Sequence, residues 1–363
     1  GGTFFALIVN HDAGKALTFR PPPRYTGLQL GLKGGGSMVK QEVLAALDGA
    51  RGQYISGQEL AARLGVSRTA IWKAVAALRS DGIPIEAVTN RGYTLSKNVD
   101  VLNTAAVAAL LHEAPLQALQ IEVVDRLPGT NSVLRARADN GAPEGLVLIA
   151  QAQSAGRGRG GHSFYSPPGG LYLSLLLRPE IGARQAVGLT AMAAVAAARA
   201  ADKLCGTPIR IKWVNDLYRE GKKVCGILTE AALDLETGGL QYAIVGIGVN
   251  LFPPKGGFPP ELPEAGAVFP TRPQGLEGRS QLAGSILNHF FSFYPHLKDK
   301  PFFADYRRRS LVLGQEITVL EGGQTRTAFA LDLERDFSLR VRETDGTIHT
   351  LSSGEVRVRP AHG

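Results

Sequence analysis

Cysteine is scarce in this 363-residue chain, which has only Cys205 and Cys225. Two thiols cannot build the disulfide framework of a small secreted domain, and a reduced, cytoplasmic setting fits. Cys225 lies in an apolar run, where a thiol serves as a small core residue rather than as a nucleophile. Long hydrophobic runs are lacking too. The longest, residues 186–198, is alanine-rich, contains Thr190 and is too short to cross a bilayer, so it reads as a packed helix and no membrane association is expected. Residues 4–9 are apolar over a shorter length, and no basic segment precedes them, which argues against a signal peptide. Acidic charge is in deficit: 40 Lys and Arg against 32 Asp and Glu give a net charge of +8. That balance is compatible with a nucleic-acid or nucleotide partner without requiring one. The length allows two or three domains with a sizeable core.

Residues 1–37 read as separate from the rest of the chain. They carry Pro21-Pro22-Pro23 and end in Gly34-Gly35-Gly36-Ser37, a flexible-linker composition directly before Met38. The expectation is a non-native or disordered extension with Met38 as the natural start; a short extra strand at 4–9 is the alternative. From Val39 the spacing becomes helical. Val43, Leu44 and Leu47 share a face and Gly49 ends that helix; a second helix is predicted from Gly57 to Leu64; Gly65 turns the chain; Ser67 caps a third helix carrying Ile71, Val75 and Leu78. This is a helix-turn-helix. Arg68, Thr69, Trp72 and Lys73 fall opposite the buried positions and, with Ser67, are candidates for base-edge and phosphate contacts. Ile83, Ile85 and Val88 then alternate, Asn90-Arg91-Gly92 turns, and Tyr93 and Leu95 return, a two-stranded wing with Arg91 at its tip. From Arg51 to Lys97 seven basic residues face three acidic ones, more basic charge than a piece this size requires. DNA binding and a purely structural or protein-contact role are the two readings.

Residues 98–103 read as a polar linker, with Thr104 capping a helix over 105–111. A strand at 121–124 leads to Gly129-Thr130-Asn131-Ser132 at a helix start, where hydroxyl and amide groups suit a small polar ring or serve as a plain N-cap. Gln153 precedes Gly156-Arg157-Gly158-Arg159-Gly160-Gly161, set between strands predicted at 146–150 and 171–177. Four glycines let such a loop bend and approach a ligand closely, and two guanidinium groups neutralise phosphate or carboxylate, so it reads as a mobile cover over an anion. Lys212-Trp213-Val214-Asn215-Asp216-Leu217 comes after an alternating run, placing Lys212 at a strand end as a fixed charge for a reacting carboxylate or α-phosphate. Asp216 would help hold Mg²⁺ or orient the lysine; a structural Lys212–Asp216 ion pair is the bland reading. In residues 245–250, Gly246 and Gly248 let a flat ring pack on the strand or simply relieve sheet crowding. Residues 253–279, rich in Pro and Gly, read as a surface loop, and from Leu311 five short alternating runs suggest a small barrel.

Four ordered stretches, 153–161, 212–217, 245–250 and 353–356, together resemble the biotin protein ligase family from about Val39 to the end of the chain. The resemblance implies an α+β multidomain fold: a winged helix-turn-helix (38–98), a central mixed-sheet α/β ligase domain like the class II synthetases (99–310) and an SH3-like β-barrel (311–363). It implies the bifunctional biotin ligase and operon repressor activity, with ATP, Mg²⁺ and biotin. By the same resemblance Gly129, Thr130, Asn131, Gln153, Arg157, Gly158, Arg159, Lys212, Gly246 and Gly248 would bind biotin. Arg157, Gly158, Arg159, Lys212, Asn215 and Asp216 would bind ATP or the adenylate, with Lys212, Arg157 and Arg159 catalytic. The implied partners are the biotin carboxyl carrier protein of acetyl-CoA carboxylase, operator DNA of biotin genes, and a second copy of the chain when the adenylate is bound. Departures from the usual pattern are Gly129 for serine, Gly160 and His162 where basic residues are common, Phe164 for tryptophan, and Phe337 for glycine. His162 reads as a solvated loop residue rather than a general base. A lipoate ligase and a sensor that binds without ligating are the rival readings.

Overall fold

The first apolar stripe builds a three-helix unit. The computed structural model describes residues 35–358 except 81–82, 97–98, 113–115, 117, 235, 237, 274–277 and 322. Helices α1 (Gly35–Asp48), α2 (Gly57–Leu64) and α3 (Arg68–Ser80) enclose Val43, Leu47, Leu60, Ile71, Val75 and Leu78. Local chemistry sets the helix ends. Ser56 Oγ accepts from Glu59 N at the head of α2, Gly65 adopts φ 65° at its tail, and Ser67 Oγ accepts from Ala70 N at 3.2 Å in α3. The wing comes next as β1 (Ile85–Val88) and β2 (Gly92–Leu95), paired antiparallel. Gly92 has φ 105°, and a side chain there would overlap the backbone of Ile55 and Ser56, so only glycine fits.

One expectation changes here. Helix α1 is described from Gly35 and includes residues 37 and 38; the rest of the expected extension, with its apolar run at 4–9, lies outside the described residues, as do positions 81–82 and 97–98 of the wing and linker. The described linker, Val99 to Asn103, is a buried strap rather than an exposed polar tether. Its polar members are buried because they are partnered. The Asp100 carboxylate accepts from Arg279 N at 2.9 Å and Arg279 Nε at 2.7 Å. Asn103 Oδ1 accepts from Ala106 N at 2.8 Å, taking the capping role expected of Thr104, and the helix it starts, α4 (Thr104–Ala108), is shorter than expected.

The central domain runs β3 (Gln120–Leu127), α5 (Thr130–Asp139), β4 (Leu146–Gln153), β5 (Leu171–Leu177), α6 (Ala186–Cys205), β6 (Arg210–Lys212), β7 (Asp216–Arg219), β8 (Lys222–Leu233), β9 (Leu240–Val249), α7 (Gly278–Phe293) and α8 (Phe303–Arg309). The seven strands lie in the order β3-β4-β5-β9-β8-β7-β6, with β3 and β4 parallel and every other pair antiparallel. Strand period assigns the two faces. Leu171, Leu173, Leu175 and Leu177 of β5, with Val245, Ile247 and Val249 of β9, join the core built with α6 and α7. The alternate residues face α5, where Leu176 and Ile244 pack with Leu134 and Ala138. The alanine-rich run is the middle of α6, buried between sheet and neighbouring helices. No helix among the described residues is long and apolar enough to cross a membrane.

The C-terminal strands β10 (Glu316–Glu321), β11 (Gln324–Leu333), β12 (Leu339–Glu343), β13 (Ile348–Leu351) and β14 (Glu355–Val358) form an antiparallel sheet in the order β13-β12-β11-β10-β14. Phe337, in the β11–β12 turn, has φ 68°, a conformation that glycine would adopt without strain. Packing holds it there. The ring is buried, stacks on Phe302 at 5.7 Å between centroids and meets Tyr306 edge-on at 5.3 Å.

Candidate active site

Small residues on the α5 face of the sheet make a floor. Gly246 lies opposite Ser174 on β5 and Leu228 on β8; Gly248 lies opposite Tyr172 and Gly226. Each glycine supports a group from another element. A Cβ at Gly246 would overlap Asn131 Oδ1 and stand 2.9 Å from Asn131 Cγ; one at Gly248 would stand 2.5 Å from Phe164 Cε1; one at Gly226 would stand 2.9 Å from Phe164 Cε2. Close approach of side chains to this face is therefore what the glycines permit, and simple relief of sheet crowding does not account for them.

Above the Gly246 row, the head of α5 makes a polar end. Gln153 Oε1 accepts from Thr130 N at 2.8 Å and from Thr130 Oγ1 at 3.2 Å, while Gln153 Nε2 donates to Ser166 Oγ at 2.9 Å. Ser174 Oγ lies 2.6 Å from Thr130 Oγ1 and 2.7 Å from Asn131 Oδ1. Asn131 Nδ2 donates to Glu230 Oε2 at 2.9 Å and to Leu228 O at 3.2 Å, and Glu230 also pairs with Arg135. Gly129 is the N-cap residue and supplies no side-chain bond; Gln153 satisfies the Thr130 amide instead.

The Arg-Gly loop folds back on itself. Gly158 N donates to His162 O at 2.6 Å, and Gly160 and Gly161 take φ 66° and 84°, a turn that suits glycine where a basic residue was expected. Arg159 Nη1 donates to Gly354 O at 3.1 Å, tying the loop to the C-terminal sheet. Phe164 leaves the loop to lie over Gly226 and Gly248, edge-on to Tyr172. Opposite stands Lys212 at the end of β6. Its Nζ donates to Tyr218 Oη at 3.4 Å, and in place of the alternative reading of a Lys212–Asp216 ion pair, Asp216 Oδ1 pairs with Lys223 Nζ at 2.7 Å. Asn215 braces β8, donating from Nδ2 to Ile227 O at 2.8 Å. Trp213 Nε1 donates to the Phe337 carbonyl at 2.8 Å, so the C-terminal domain supports the Lys212 segment.

All of Gly129, Thr130, Asn131, Gln153, Arg157, Gly158, Arg159, Lys212, Asn215, Asp216, Gly246 and Gly248 line one cavity of about 740 Å³. The cavity has a polar hydroxyl-and-amide end and a cationic end, with Phe164 between, a shape for a ligand with a small polar ring and a distant acid. Sequence reasoning missed Ser174, Tyr218, Lys223, Glu230 and Glu264. Lys223 comes soon after the Lys212 stretch, but strand β7, which turns it back into the cavity, was not anticipated. Residues 258 and 261–265 also line the cavity, so the expected surface loop is one of its walls. Lys223 N donates to Glu264 O, and Gly266 N to Lys223 O, which stitches that wall to β8. Among the described residues no group of three or more His, Cys, Asp or Glu could hold a metal ion by itself. Asp216 Oδ1 is buried, with the Lys223 ammonium 2.7 Å away as its counter-charge. Cys225 is buried beneath the sheet, and burial raises its thiol far above the usual range, in keeping with a core role.

The candidate DNA-contacting residues lie elsewhere. Arg68, Thr69, Trp72 and Lys73 are exposed along one side of α3, with Trp72 62% exposed, while the Ser67 hydroxyl is engaged in the cap. The Arg91 guanidinium lies 4.2 Å from the centroid of the Tyr54 ring at the wing tip.

The profile of the Biotin/lipoate A/B protein ligase family matches residues 123–250, and that of an HTH domain matches residues 39–94. The bifunctional ligase/repressor BirA of Bacillus subtilis (strain 168) is 35% identical over 264 residues, 72% of this chain and 79% of that protein. The bifunctional ligase/repressor BirA of Escherichia coli (strain K12) is 35% identical over 203 residues, 56% of this chain and 61% of that protein. The structure of biotin protein ligase from Aquifex aeolicus in complex with biotin and ATP superposes with a TM-score of 0.54 at 25% identity, covering 67% of this chain and 99% of that one.

Proposed function

The chain belongs to the biotin/lipoate A/B protein ligase family, among its bifunctional ligase/repressors, and from that membership we propose an ATP-dependent biotin protein ligase that also acts as a biotin-responsive repressor. The observation that carries the proposal is the convergence of two chemistries in one cavity: Thr130, Asn131 and Gln153 at one end, with Ser174 bracing Thr130 and Asn131 from behind, and Lys212 and Arg157 at the other. The polar end suits the cyclic urea of biotin, whose oxygen and two N–H groups match hydroxyl, amide and carboxamide partners. The valerate chain would run over the glycine floor toward Lys212.

In the first half-reaction a biotin carboxylate oxygen attacks the α-phosphorus of ATP, the bond to the bridging oxygen breaks, and pyrophosphate leaves with that electron pair. Two anions must meet, so fixed cations dominate the catalysis. Lys212 bridges carboxylate and α-phosphate, and Arg157 and Arg159 close over the resulting biotinyl-5′-adenylate and exclude water. Mg²⁺ would enter with the nucleotide, with Asp216 offering one carboxylate oxygen, and would neutralise triphosphate charge. In the second half-reaction the ε-amine of a carrier lysine attacks the anhydride carbonyl and AMP leaves. The carrier is the biotin carboxyl carrier protein of acetyl-CoA carboxylase. α3 and the wing would read operator DNA of biotin genes, with adenylate-dependent dimerisation as the switch, in the cytoplasm.

The test is exchange of labelled pyrophosphate into ATP by the purified protein with Mg²⁺, comparing biotin, lipoate and no acid. Biotin-dependent exchange is expected. Exchange with lipoate alone would replace the substrate, and exchange with neither would leave a sensor that does not activate its ligand.

A further inference from the structure

We propose that the Ser166 hydroxyl is a positioning group for the polar end of the cavity, fixing the Gln153 carboxamide and tying it to the foot of the Arg-Gly loop; the proposal rests on the ligase reading above. Gln153 stands at the entrance to that loop and lines the cavity, while Ser166 stands at the exit, 4% exposed, behind the carboxamide. Two bonds join the pair across the loop. Gln153 N donates to Ser166 O at 2.9 Å, and Gln153 Nε2 donates to Ser166 Oγ at 2.9 Å. Pro167 follows, which favours an extended serine backbone, and Tyr172 Oη donates to Pro167 O at 2.7 Å, so the exit is anchored to β5.

A serine has a single hydrogen to give. Here it goes to Phe164 O at 2.8 Å, a carbonyl that can only accept, so Ser166 Oγ turns its lone pairs to Gln153 and can meet only the Nε2 end of the carboxamide. The other end is fixed by the opposite chemistry: Thr130 N can only donate, and it bonds Gln153 Oε1 at 2.8 Å. Both neighbours demand the same orientation, which gives the second Nε2 hydrogen a set direction at the polar end. The same hydroxyl belongs to the foot of the loop. Phe164 N donates to Gly156 O at 2.9 Å, Arg157 bridges Ser163, and a Cβ at Gly156 would stand 2.6 Å from Ser166 Oγ and 2.5 Å from Phe164 O. Gly156 therefore leaves the gap that the hydroxyl occupies. One buried oxygen thus holds a cavity-lining amide and the segment bearing Arg157 and Arg159 in a single arrangement.

The experiment uses the full chain and the variants Ser166→Ala, Gly156→Ala and their combination. It reads calorimetric titration of biotin, and limited trypsin digestion of the unliganded protein with the cut sites identified by mass spectrometry. Arg157 and Arg159 are exposed, so the loop offers trypsin sites of its own. Ser166→Ala takes one buried hydrogen bond from the carboxamide, and biotin affinity is expected to fall about tenfold. Cutting after Arg157 and Arg159 should accelerate about fivefold or more relative to cutting elsewhere in the chain. A residue that merely added to global stability would raise cleavage at all sites together and leave the biotin affinity of the folded protein as it was. Gly156→Ala displaces the same hydroxyl without removing it and should also weaken biotin binding; the combined variant should bind no more weakly than Gly156→Ala alone. Biotin affinity within about threefold of the unmodified protein in Ser166→Ala, loop cutting that rises only in step with other sites, or losses that multiply in the combination would overturn the proposal. If Ser166→Ala does not fold, Ser166→Cys, whose thiol is a weak donor and acceptor in the same place, is read by the same two measurements. An unmodified protein that binds no biotin is a separate outcome and overturns the ligase reading itself.

Discussion

Gly246→Ala adds one methyl group beneath the polar end of the cavity, and its effect can be worked out. The new Cβ would overlap Asn131 Oδ1 and stand 2.9 Å from Cγ, so the Asn131 carboxamide must move by about 1 Å to reach ordinary contact. It cannot do so freely. Its amide nitrogen is held by Glu230 and Leu228 O, and its oxygen lies 2.7 Å from Ser174 Oγ. A shift of that size breaks two of these three bonds in a buried setting, at ~1–3 kcal/mol each. The net cost to the binding-competent geometry is about 3 kcal/mol, or about a hundredfold in affinity for a ligand that needs Asn131 in place. Calorimetric titration of biotin into the variant should show that loss, and the unfolding midpoint should fall as well, because the broken bonds belong to the folded protein itself. Gly248→Ala is the control, since it displaces Phe164 and should weaken adenylate retention more than biotin binding. Biotin binding within threefold of wild type in Gly246→Ala would refute this account of the floor.

Lys212→Ala should lower adenylate formation by two or more orders of magnitude in the exchange assay while leaving the circular dichroism spectrum and unfolding midpoint unchanged. Asp100→Asn leaves Arg279, itself 6% exposed, without its carboxylate, and denaturant unfolding should register a loss of about 3–5 kcal/mol. Trp72→Ala and Arg68→Ala remove exposed groups on the outer side of α3, and should weaken operator-length DNA binding in a gel-shift assay about tenfold while exchange activity is retained. Arg68→Ala should in addition flatten the salt dependence of binding, which a merely structural residue would not do.

How much the sequence disclosed depends on how local each cause is. The three helices were legible because an apolar stripe, a glycine turn and a serine cap all act within a few residues, and Ser67 caps where its position said it would. The central strands were legible from their apolar runs, and the Arg-Gly loop from its composition. The strap at 99–103 was misread because Asp100 and Asn103 look like solvent-facing residues; the arginine that buries Asp100 is 179 positions away. The neighbour of Lys212 was not legible for the same reason. Asp216 is nearest in sequence, yet the intervening turn and strand β7 bring Tyr218 to the lysine and give Asp216 to Lys223. The wall at 258–265 has the proline and glycine content of a surface loop, and only its stitching to β8 gives it a place in the cavity.

The hydrogen bond from Trp213 to the Phe337 carbonyl, and that from Arg159 to the Gly354 carbonyl, bear on how the protein is made. Synthesis runs from the amino end, so residues 337 and 354 leave the ribosome after the sheet, the Arg-Gly loop and Lys212 are already outside. A nascent chain stopped at residue 310 would carry the DNA-reading unit and the whole glycine floor, yet its Trp213 indole, Phe302 and Tyr306 would lack the cover that Phe337 gives them. Competence to activate an acid therefore arrives last in biosynthesis, and an unfinished chain could meet DNA before it could hold a reactive adenylate.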